Sequence, residues 1–584
     1  MRTRGSLVGL ALLGVALAAA ALPRPAAAQE ARTQAVPPPS ALLLVERLSL
    51  DEALDATSGH RPAAVGFVST LPGYESLAAR VLSLAAGRRV DARAVEGQAL
   101  PGPEALGRLR AVNPDARFGR PPPTRVLAWR GMEAAGLFTL GASGPASPAS
   151  PLGQRGGRIP VRPGSLLVVA VPHAEALRNV WERLVPARDA GPVLVAGLRP
   201  APRRAHAAPL LLLGAGRGLP TSDSTRRQGL VALEDLRPTL TGGRSEGDDG
   251  TPIRVVDDPG PAATATWLDR RVGALVAART LAIPLLALAA SLALLALLAA
   301  WRSGARGGGG GWEPAARALL ALTLALPGGY LAASAAEPTA ARITRALFQG
   351  LFGAPGMARA WGLAWLAAGL GAAVALAALA LWLDRRPPTP GSRPARPTGD
   401  APGRDGPGRV PAPALLGGVL LALVVADLLG GGDGLAQPLL GGSAWDGERF
   451  YGLGNGYFAF ALAAVMLVVC FTPLRAAWAA ALLGGLAVVD GLPRLGADVG
   501  GALTAMLTAA AALVVLAPRR PSAGRVVLLA ALAVAAAVAV ALGAGLGGPV
   551  THAGRFADRL LEGPGDAAGV VVDQLSRNLR LLAH

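Results

Sequence analysis

The sequence predicts two fold classes in one chain: an extracytoplasmic α/β domain with a mostly parallel sheet, followed by an all-α polytopic transmembrane bundle of about eight helices. Two observations predict this division. Between residues 41 and 270, apolar runs of strand length alternate with helical patterns, which is typical of a parallel sheet covered by helices. Between 276 and 546, apolar segments of membrane-spanning length recur between short polar or Gly/Pro-rich connections.

The amino terminus has the three parts of a secretory signal peptide, which we assign to residues 1–28. Arg2 and Arg4 form the charged start, 7–22 the apolar run, and 26–28 a cleavage site of small residues. An uncleaved anchor helix is the alternative, and both alternatives deliver the next domain outside the cytoplasm. A Pro-rich leader at 29–40 connects the signal to that domain.

The α/β domain covers 41–270, and its apolar strands lack polar alternation, as expected of strands buried on both faces. A stretch rich in Gly, Pro and Ser at 141–164 predicts a surface insertion. The predicted strands are 42–45, 63–68, 166–171, 193–196 and 210–213, and the predicted helices are 74–86, 174–184 and one beginning at about 233.

The transmembrane domain covers 276–546 and contains eight apolar segments. The two that flank Thr472 and Pro473 are short, so a re-entrant hairpin is the alternative there. The predicted spans are 278–301, 315–335, 358–383, 412–430, 457–471, 474–489, 499–517 and 526–546.

The orientation of these spans follows from the arginines. They concentrate in the connections at 302–313, 384–410, 472–475 and 518–525, whereas acidic residues dominate the other connections. By the positive-inside rule, the α/β domain and the tail at 547–584 lie outside. We predict the tail to be an amphipathic helix on the outer leaflet or, alternatively, against the exported domain. The Ala-, Gly-, Pro- and Arg-rich composition indicates a bacterial, GC-rich source, so the predicted location is the bacterial cell membrane.

Composition excludes several classes of function. The formal net charge is +18, yet the chain has no lysine and much of the excess lies on the predicted inner loops, so we predict the lipid bilayer and envelope lipids or glycans as partners and no nucleic acid. Absence of lysine excludes a P-loop lysine and Schiff-base chemistry. The sole cysteine, Cys470, excludes an internal disulfide framework.

One stretch carries a family resemblance. After the strand at 210–213 come Thr221-Ser222-Asp223-Ser224-Thr225-Arg226-Arg227, Gly229 and Asp235-Leu236-Arg237-Pro238-Thr239-Leu240. This order resembles the closing part of alkaline-phosphatase-superfamily domains, and most closely those fused to polytopic regions in bacterial envelope proteins, whose outer loops carry sequences like the one at 449–455. The resemblance covers 41–270 loosely and 210–240 specifically.

The resemblance implies a metal-binding carboxylate at the end of the first strand and a Ser or Thr nucleophile after the second. Here these positions are Glu46 and Ser69 or Thr70. However, the turn after Leu213 reads Gly-Ala-Gly-Arg where the family has an Asp-His pair, and histidines are scarce. The family would use divalent metals, but with these ligands missing we predict no cofactor and a degenerate domain, closer to a binding protein than to an enzyme.

A second candidate site consists of polar residues on the predicted outer loops. Ionisable groups at this depth are costly unless they pair, line a wet cavity or reach the headgroups; the alternative is a set of interfacial charges with Trp445 and Tyr451 as aromatic anchors. Asp427, inside a predicted span, is the best candidate for an intramembrane polar contact, and a position near the interface is the alternative. The predicted ligand-binding residues are Asp446, Glu448, Arg449, Tyr451, Asn455, Asp490, Arg494 and Asp498.

Together these features predict a bacterial envelope membrane protein whose exported domain binds or processes an anionic envelope component. Two alternatives stay open. One is a transporter or flippase of an envelope precursor, with the exported domain as its receptor. The other is a non-catalytic envelope scaffold.

Overall fold

We describe the protein from a computed structural model. The signal peptide, the helix at 74–86, the insertion at 141–164 and the tail at 547–584, all predicted above, lie outside the described residues. The described residues are 33–57, 64–69, 124–128, 166–171, 173–184, 191–199, 207–243, 250–305, 313–348, 357–385, 411–446, 449–472, 474–492, 495–517 and 521–545.

The chain divides into two compact units. The sheet unit lies within Pro23–Val276 and also includes the segment Ser443–Phe450. The helical unit lies within Ala277–Gly442 and the residues from Tyr451 onward. The boundary near 276 agrees with the predicted division of the chain, whereas the membership of Ser443–Phe450 in the sheet unit was not predicted.

The sheet unit contains a ten-stranded sheet in the order β1-β10-β8-β3-β7-β6-β2-β5-β4, with β9 also paired to β3. All five predicted strands are present. The strands are β1 Thr33–Ala35, β2 Ala41–Arg47, β3 Ala64–Ser69, β4 Thr124–Ala128, β5 Leu166–Val171, β6 Val193–Arg199, β7 Ala207–Leu213, β8 Gly218–Thr221, β9 Leu230–Ala232 and β10 Arg254–Asp257.

The sheet is mixed. β7 runs antiparallel to both β6 and β3, and β10 runs antiparallel to both β8 and β1. The remaining pairings are parallel, so every described strand except β7 and β10 points in one direction. The carboxyl ends of β2, β3 and β8 therefore share one edge of the sheet, which we name the carboxyl edge.

The helices of the sheet unit are short. They are α1 Leu50–Ala56, α2 Ala174–Leu184 and α3 Leu236–Thr241. The capping box of α1, in which Ser49 and Glu52 exchange hydrogen bonds, is visible as Ser-x-x-Glu in the sequence, although no helix was predicted there. Alternate strand residues, which share one face, form a buried cluster with α3, while α1 packs against β7 and α2 against β2 and β5. Members of that cluster include Leu42, Leu44, Leu194, Ala196, Leu198, Leu210, Leu212, Leu236 and Leu240.

The helical unit has an apolar helix at each of the eight predicted positions, plus one four-residue helix. Its first helix begins before the unit boundary. The helices are α4 Pro261–Ala305, α5 Glu313–Phe348, α6 Met357–Arg385, α7 Ala412–Gly430, α8 Asp433–Ala436, α9 Asn455–Phe471, α10 Ala476–Gly491, α11 Val499–Val515 and α12 Ala523–Gly545.

Within the described residues, four of these helices are long and apolar enough to cross a membrane: α4, α5, α6 and α7. Three of the others, α9, α10 and α11, have only 16 or 17 residues. At 1.5 Å per residue, a helix of that length reaches at most about 25 Å, less than a hydrocarbon core of about 30 Å. Fewer long spans are therefore present among the described residues than the eight spans predicted. Large apolar side chains such as Leu294, Leu295 and Trp301 are exposed on α4, which with the four long helices indicates a membrane protein.

Candidate functional site

Asp235 is the centre of a buried hydrogen-bond network in the sheet unit. Its side chain has no exposed surface. One carboxylate oxygen accepts hydrogen bonds from the Ser222 hydroxyl at 2.6 Å and from the Ala232 N–H at 2.7 Å, and the other accepts from the Thr251 N–H at 2.8 Å. One side chain thus joins the turn after β8, the end of β9 and the segment that leads into β10.

Two threonines extend this network. The Thr225 hydroxyl donates to the Leu230 carbonyl at 2.6 Å, which closes the loop between β8 and β9. The Thr239 hydroxyl donates to the Asp235 carbonyl at 2.7 Å and accepts from the Ile253 N–H at 2.8 Å. These short polar side chains satisfy backbone groups that no regular ladder reaches, which is why the turn has a single defined shape.

The turn fixed in this way carries two arginines. Arg226 has a φ of 53°, in the left-handed region that non-glycine residues adopt only when their surroundings hold them there. The Arg227 Nε donates to the Phe450 carbonyl at 2.9 Å, within the sheet unit. The turn follows β8, so both residues lie at the carboxyl edge.

Burial raises the pKa of the Asp235 carboxyl above its ordinary value, and the hydrogen bonds from Ser222, Thr251 and Ala232 act in the opposite direction. A buried carboxylate without those donors would be strongly destabilising. These hydrogen bonds therefore offset the cost of burying the carboxyl group, so that Asp235 can connect the turn to β9 and to the segment before β10.

Ser69 and Glu46, the two positions that the resemblance implies, both lie at the carboxyl edge but not together. Ser69 ends β3 and pairs with Ala232 of β9, whereas Glu46 lies in β2. Two strands, β7 and β6, separate β3 from β2, which corresponds to about 14 Å at about 4.8 Å per strand. Thr70, the alternative nucleophile, lies outside the described residues.

The Ser69 side chain itself is fully buried, and in the part of the chain that the structure describes its hydroxyl makes no hydrogen bond. The turn after Leu213 lies at the opposite edge, because Leu213 pairs with Val193, the first residue of β6. The site implied by the resemblance is thus divided between two edges of the sheet.

The residues present do not fit a two-metal phosphatase centre. Such centres hold two ions about 3.5–4 Å apart, which side chains on strands three positions apart do not share. Within the described ranges, no group of three or more His, Cys, Asp or Glu side chains could hold a metal ion.

The predicted outer-loop site is divided between the units. Asp446 and Arg449 belong to the sheet unit, whereas Tyr451, Asn455, Asp490 and Asp498 belong to the helical unit. Glu448 and Arg494 lie outside the described residues.

Within the helical unit, Asp490 and Asp498 do come together. The Asp498 N–H donates to the Asp490 carbonyl at 2.8 Å, and the Asp498 carboxylate caps α11 by accepting from the Gly500 and Gly501 N–H groups. The Leu453 N–H, four residues after Arg449, donates to the Gly496 carbonyl of the same connection at 3.0 Å. Asp490 is fully buried at the end of α10, so its carboxylate belongs to the helix packing and not to an open loop.

Neither a protein-family model, nor a characterised protein, nor a solved structure matches this chain. The resemblance at 210–240 therefore stays an expectation drawn from the sequence.

Trp445, for which an interfacial anchor was the alternative prediction, is instead buried in the sheet unit. It is 3% exposed, and its ring meets the ring of Phe67 edge to face, with centroids 5.4 Å apart. Both residues belong to the sheet unit, so Trp445 is a core residue there. Its position beside Arg449 and Phe450 in a loop sequence gave no signal for this role.

Asp427, predicted to make a polar contact, does so at the end of α7. Its carboxylate accepts hydrogen bonds from the Gly434 N–H at 3.0 Å and the Leu435 N–H at 2.8 Å, which fixes α8 against the end of α7. Asp235, by contrast, was noted in the sequence only as part of a motif. Its burial depends on partners 13 and 16 residues away in the chain, Ser222 and Thr251, so the local sequence did not indicate it.

Proposed function

We propose that this protein is integral to the bacterial cell membrane and that its exported, alkaline-phosphatase-like domain binds or processes an anionic envelope component. Residues 1–28 act as its signal peptide, and the sheet unit and the tail at 547–584 lie outside the cytoplasm. The eight apolar helices cross the membrane; of the shorter four, α9 packs against α7, and α10, α11 and α12 pack against one another.

The observation that carries this proposal is the buried hydroxyl of Ser69 at the carboxyl edge, which has no hydrogen-bond partner among the described residues. Open α/β sheets bind their ligands beyond the carboxyl ends of the strands. Leaving a buried hydroxyl without a hydrogen bond costs about 1–3 kcal/mol, and such groups concentrate at functional sites.

The charge of the same edge favours an anion. Arg226 and Arg227 follow β8, and Arg47, which ends β2, is exposed. Guanidinium groups bind phosphate and carboxylate through paired N–H donors. Asp235 holds the turn that carries two of them, which fixes the backbone positions of both arginines at this edge.

Binding and turnover by the purified full chain test the proposal. The probes are glycerol 3-phosphate and N-acetylglucosamine 1-phosphate, with glucose as the uncharged control, followed by calorimetry and by phosphate release. We expect both phosphates to bind and glucose not to bind. Arg226→Gln should weaken binding about 10-fold or more, as expected for a charge-assisted hydrogen bond.

Arg217→Gln is the matched control, because Arg217 is exposed in the turn after β7 at the opposite edge. Phosphate release that disappears in Ser69→Ala would assign processing, and binding without release would assign recognition. If the wild-type chain binds neither phosphate, the proposal is wrong.

Membrane topology is tested separately with single cysteines in a Cys470→Ser background. We expect an impermeant maleimide to label Thr241→Cys in intact spheroplasts and to label Ser303→Cys and Arg475→Cys only after lysis. Labelling of Arg475→Cys from outside would replace two of the eight crossings by a re-entrant hairpin. Labelling of Thr241→Cys only after lysis would contradict an exported sheet unit.

A further inference from the structure

Four buried polar groups of the helical unit have no hydrogen-bond partner among the described residues. They are the hydroxyls of Tyr330 and Ser334 on α5, the indole N–H of Trp365 on α6, and the amide oxygen of Gln437 after α8. Each of these residues is at most 8% exposed. In an apolar helix bundle, such groups are costly unless something binds them, and they mark functional positions.

Packing between α5 and α6 brings the first three groups to two successive turns of these helices. The two helices run antiparallel: a β-carbon at Gly328 would contact Leu376, whereas one at Gly369 would lie 2.5 Å from the Tyr330 ring. Ser334 lies one turn beyond Tyr330, and Trp365 lies one turn before Gly369. Because the helices are antiparallel, one turn forward on α5 corresponds to one turn backward on α6, which places Ser334 and Trp365 opposite each other.

The fourth group, the amide oxygen of Gln437, follows α8, and α8 packs against α5 next to Ser334. A β-carbon at Gly434 would lie 3.0 Å from the backbone nitrogen of Ala335, the residue after Ser334. Gln437 follows at the end of α8, which Asp427 holds in place through its two hydrogen bonds to the Gly434 and Leu435 N–H groups.

Tyr457 of α9 contacts α5 close to these residues. Its hydroxyl donates to the Pro327 carbonyl of α5 at 3.3 Å, and electrostatic interactions link it to Asp427 and Tyr330. We name Tyr330, Ser334, Trp365 and Gln437, with Asp427 and Tyr457 beside them, the polar layer. It lies beside the middle of α5, close to the carboxyl end of α7 and the start of α9.

The chemistry of the four unpartnered groups restricts the ligand. The Trp365 N–H is only a donor and therefore repels a cation, while the Asp427 carboxylate disfavours an anion. Two hydroxyls, one N–H donor and one amide acceptor complement a molecule whose own groups both donate and accept. We propose that the polar layer binds a neutral, hydroxyl-rich group, namely a sugar ring. This site is separate from the anion site proposed for the sheet unit.

Lipid retention by the full chain tests this site. The protein is purified in an amine-oxide detergent, because sugar detergents would occupy the site, and is equilibrated with monoglucosyl diacylglycerol, diacylglycerol or phosphatidylglycerol. Native mass spectrometry then measures the lipid that is retained. We expect the glucosyl lipid to be retained in preference to both others, and Tyr330→Phe, Ser334→Ala and Trp365→Phe each to lower its retention about five-fold.

Ser291→Ala is the matched control, because the Ser291 hydroxyl is exposed and bonds the Ala287 carbonyl of its own helix at 2.8 Å. Competition by soluble methyl glucoside would identify a free sugar as the ligand, and its absence would identify a lipid headgroup; both support the proposal. Equal retention of diacylglycerol, or unchanged retention in all three variants, would overturn it. Thermal unfolding separates loss of binding from misfolding, since removing an unpartnered group leaves every existing hydrogen bond intact.

Discussion

The side-chain hydroxyl of Ser222 donates a 2.6 Å hydrogen bond to the carboxylate of Asp235, thirteen residues later in the chain. Both residues are buried, so this bond determines how the loop after β8 lies against the start of α3. It also gives a physical reason for the recurring Ser, Thr and Asp residues at 221–239: they satisfy one another and the backbone where the sheet ladder ends.

We expect Asp235→Ala to loosen this part of the sheet unit. The substitution leaves the Ala232 and Thr251 N–H groups and the Ser222 hydroxyl buried without an acceptor, at a cost of about 3 kcal/mol. Hydrogen–deuterium exchange of the full chain should show the two amides exchanging about 100-fold faster. Asp223→Ala is the control, because Asp223 forms only a half-exposed ion pair with Arg254; equal effects of both substitutions would contradict the assigned role.

The stability of the same region should depend on pH in a defined direction. Burial raises the pKa of Asp235 above its ordinary value of 3.8, so the folded chain binds a proton at a pH where the unfolded chain does not. Protonation therefore favours the folded state. This contribution is complete below about pH 3.8 and is lost as the pH rises through the raised pKa of the folded state.

Exchange measured between pH 7 and pH 4, corrected for intrinsic rates, should therefore show greater protection of the Thr251 amide as the pH falls. In Asp235→Asn, which has no titrating group at this position, the additional protection should be absent. If the protection of the Thr251 amide changes with pH in the same way in the wild type and in Asp235→Asn, then Asp235 does not titrate as its burial indicates.

Two adjacent glycines of α5 should respond oppositely to the same substitution. A β-carbon at Gly329 would lie 2.5 Å from the Ala373 nitrogen and 2.6 Å from the Gly369 carbonyl oxygen, both backbone atoms of α6. Gly329→Ala must therefore force the helices apart, and we expect it to cost about 2–3 kcal/mol.

Gly328→Ala is the control, since its β-carbon would make only ordinary contacts at 3.7 Å. The change should be neutral or stabilising by up to about 1 kcal/mol, because alanine favours the helix. Thermal unfolding of the detergent-purified chain compares the two variants. If both shift the midpoint equally, α5 and α6 do not approach as closely as described.

Much of the secondary structure could be predicted from the sequence, because the decisive signals are local. Residues 166–171, 174–184 and 412–430 form the predicted elements with the predicted bounds. The short strands β8 and β10 could not be predicted: four residues provide too little periodicity, and Pro220 lowers the strand propensity of β8. Eight spans were predicted because α9, α10 and α11 are as apolar as the longer helices, although each has only 16 or 17 residues.

The candidate site was harder to predict because strand order is not a local property. Glu46 and Ser69 each follow an apolar run, yet two intervening strands separate them in space. Leu213 lies at the other edge because β7 reverses direction. Nothing in the run from Ser443 to Phe450 indicates that this segment belongs with a sheet nearly two hundred residues earlier in the chain.

Two contacts hold the segment Ser443–Phe450 in the sheet unit. Trp445 packs edge to face on Phe67 and is almost fully buried, and the Arg227 guanidinium binds the Phe450 carbonyl. Truncating a buried tryptophan costs about 3–5 kcal/mol, far more than the single hydrogen bond from Arg227 can replace. In Trp445→Ala we therefore expect Ser443–Phe450 to leave the sheet unit and trypsin to cleave after Arg449 at least about 10-fold faster than in the wild type.

Trp301→Ala, at a residue that is 75% exposed, should leave the cleavage rate unchanged. Arg227→Gln should fall between the two, because it removes one hydrogen bond and leaves the ring contact intact. Mass spectrometry of the fragments identifies the cleaved bond, which separates local release of this segment from general unfolding. Cleavage after Arg449 that is equally fast in wild type and Trp445→Ala would mean that the ring contact with Phe67 does not hold the segment.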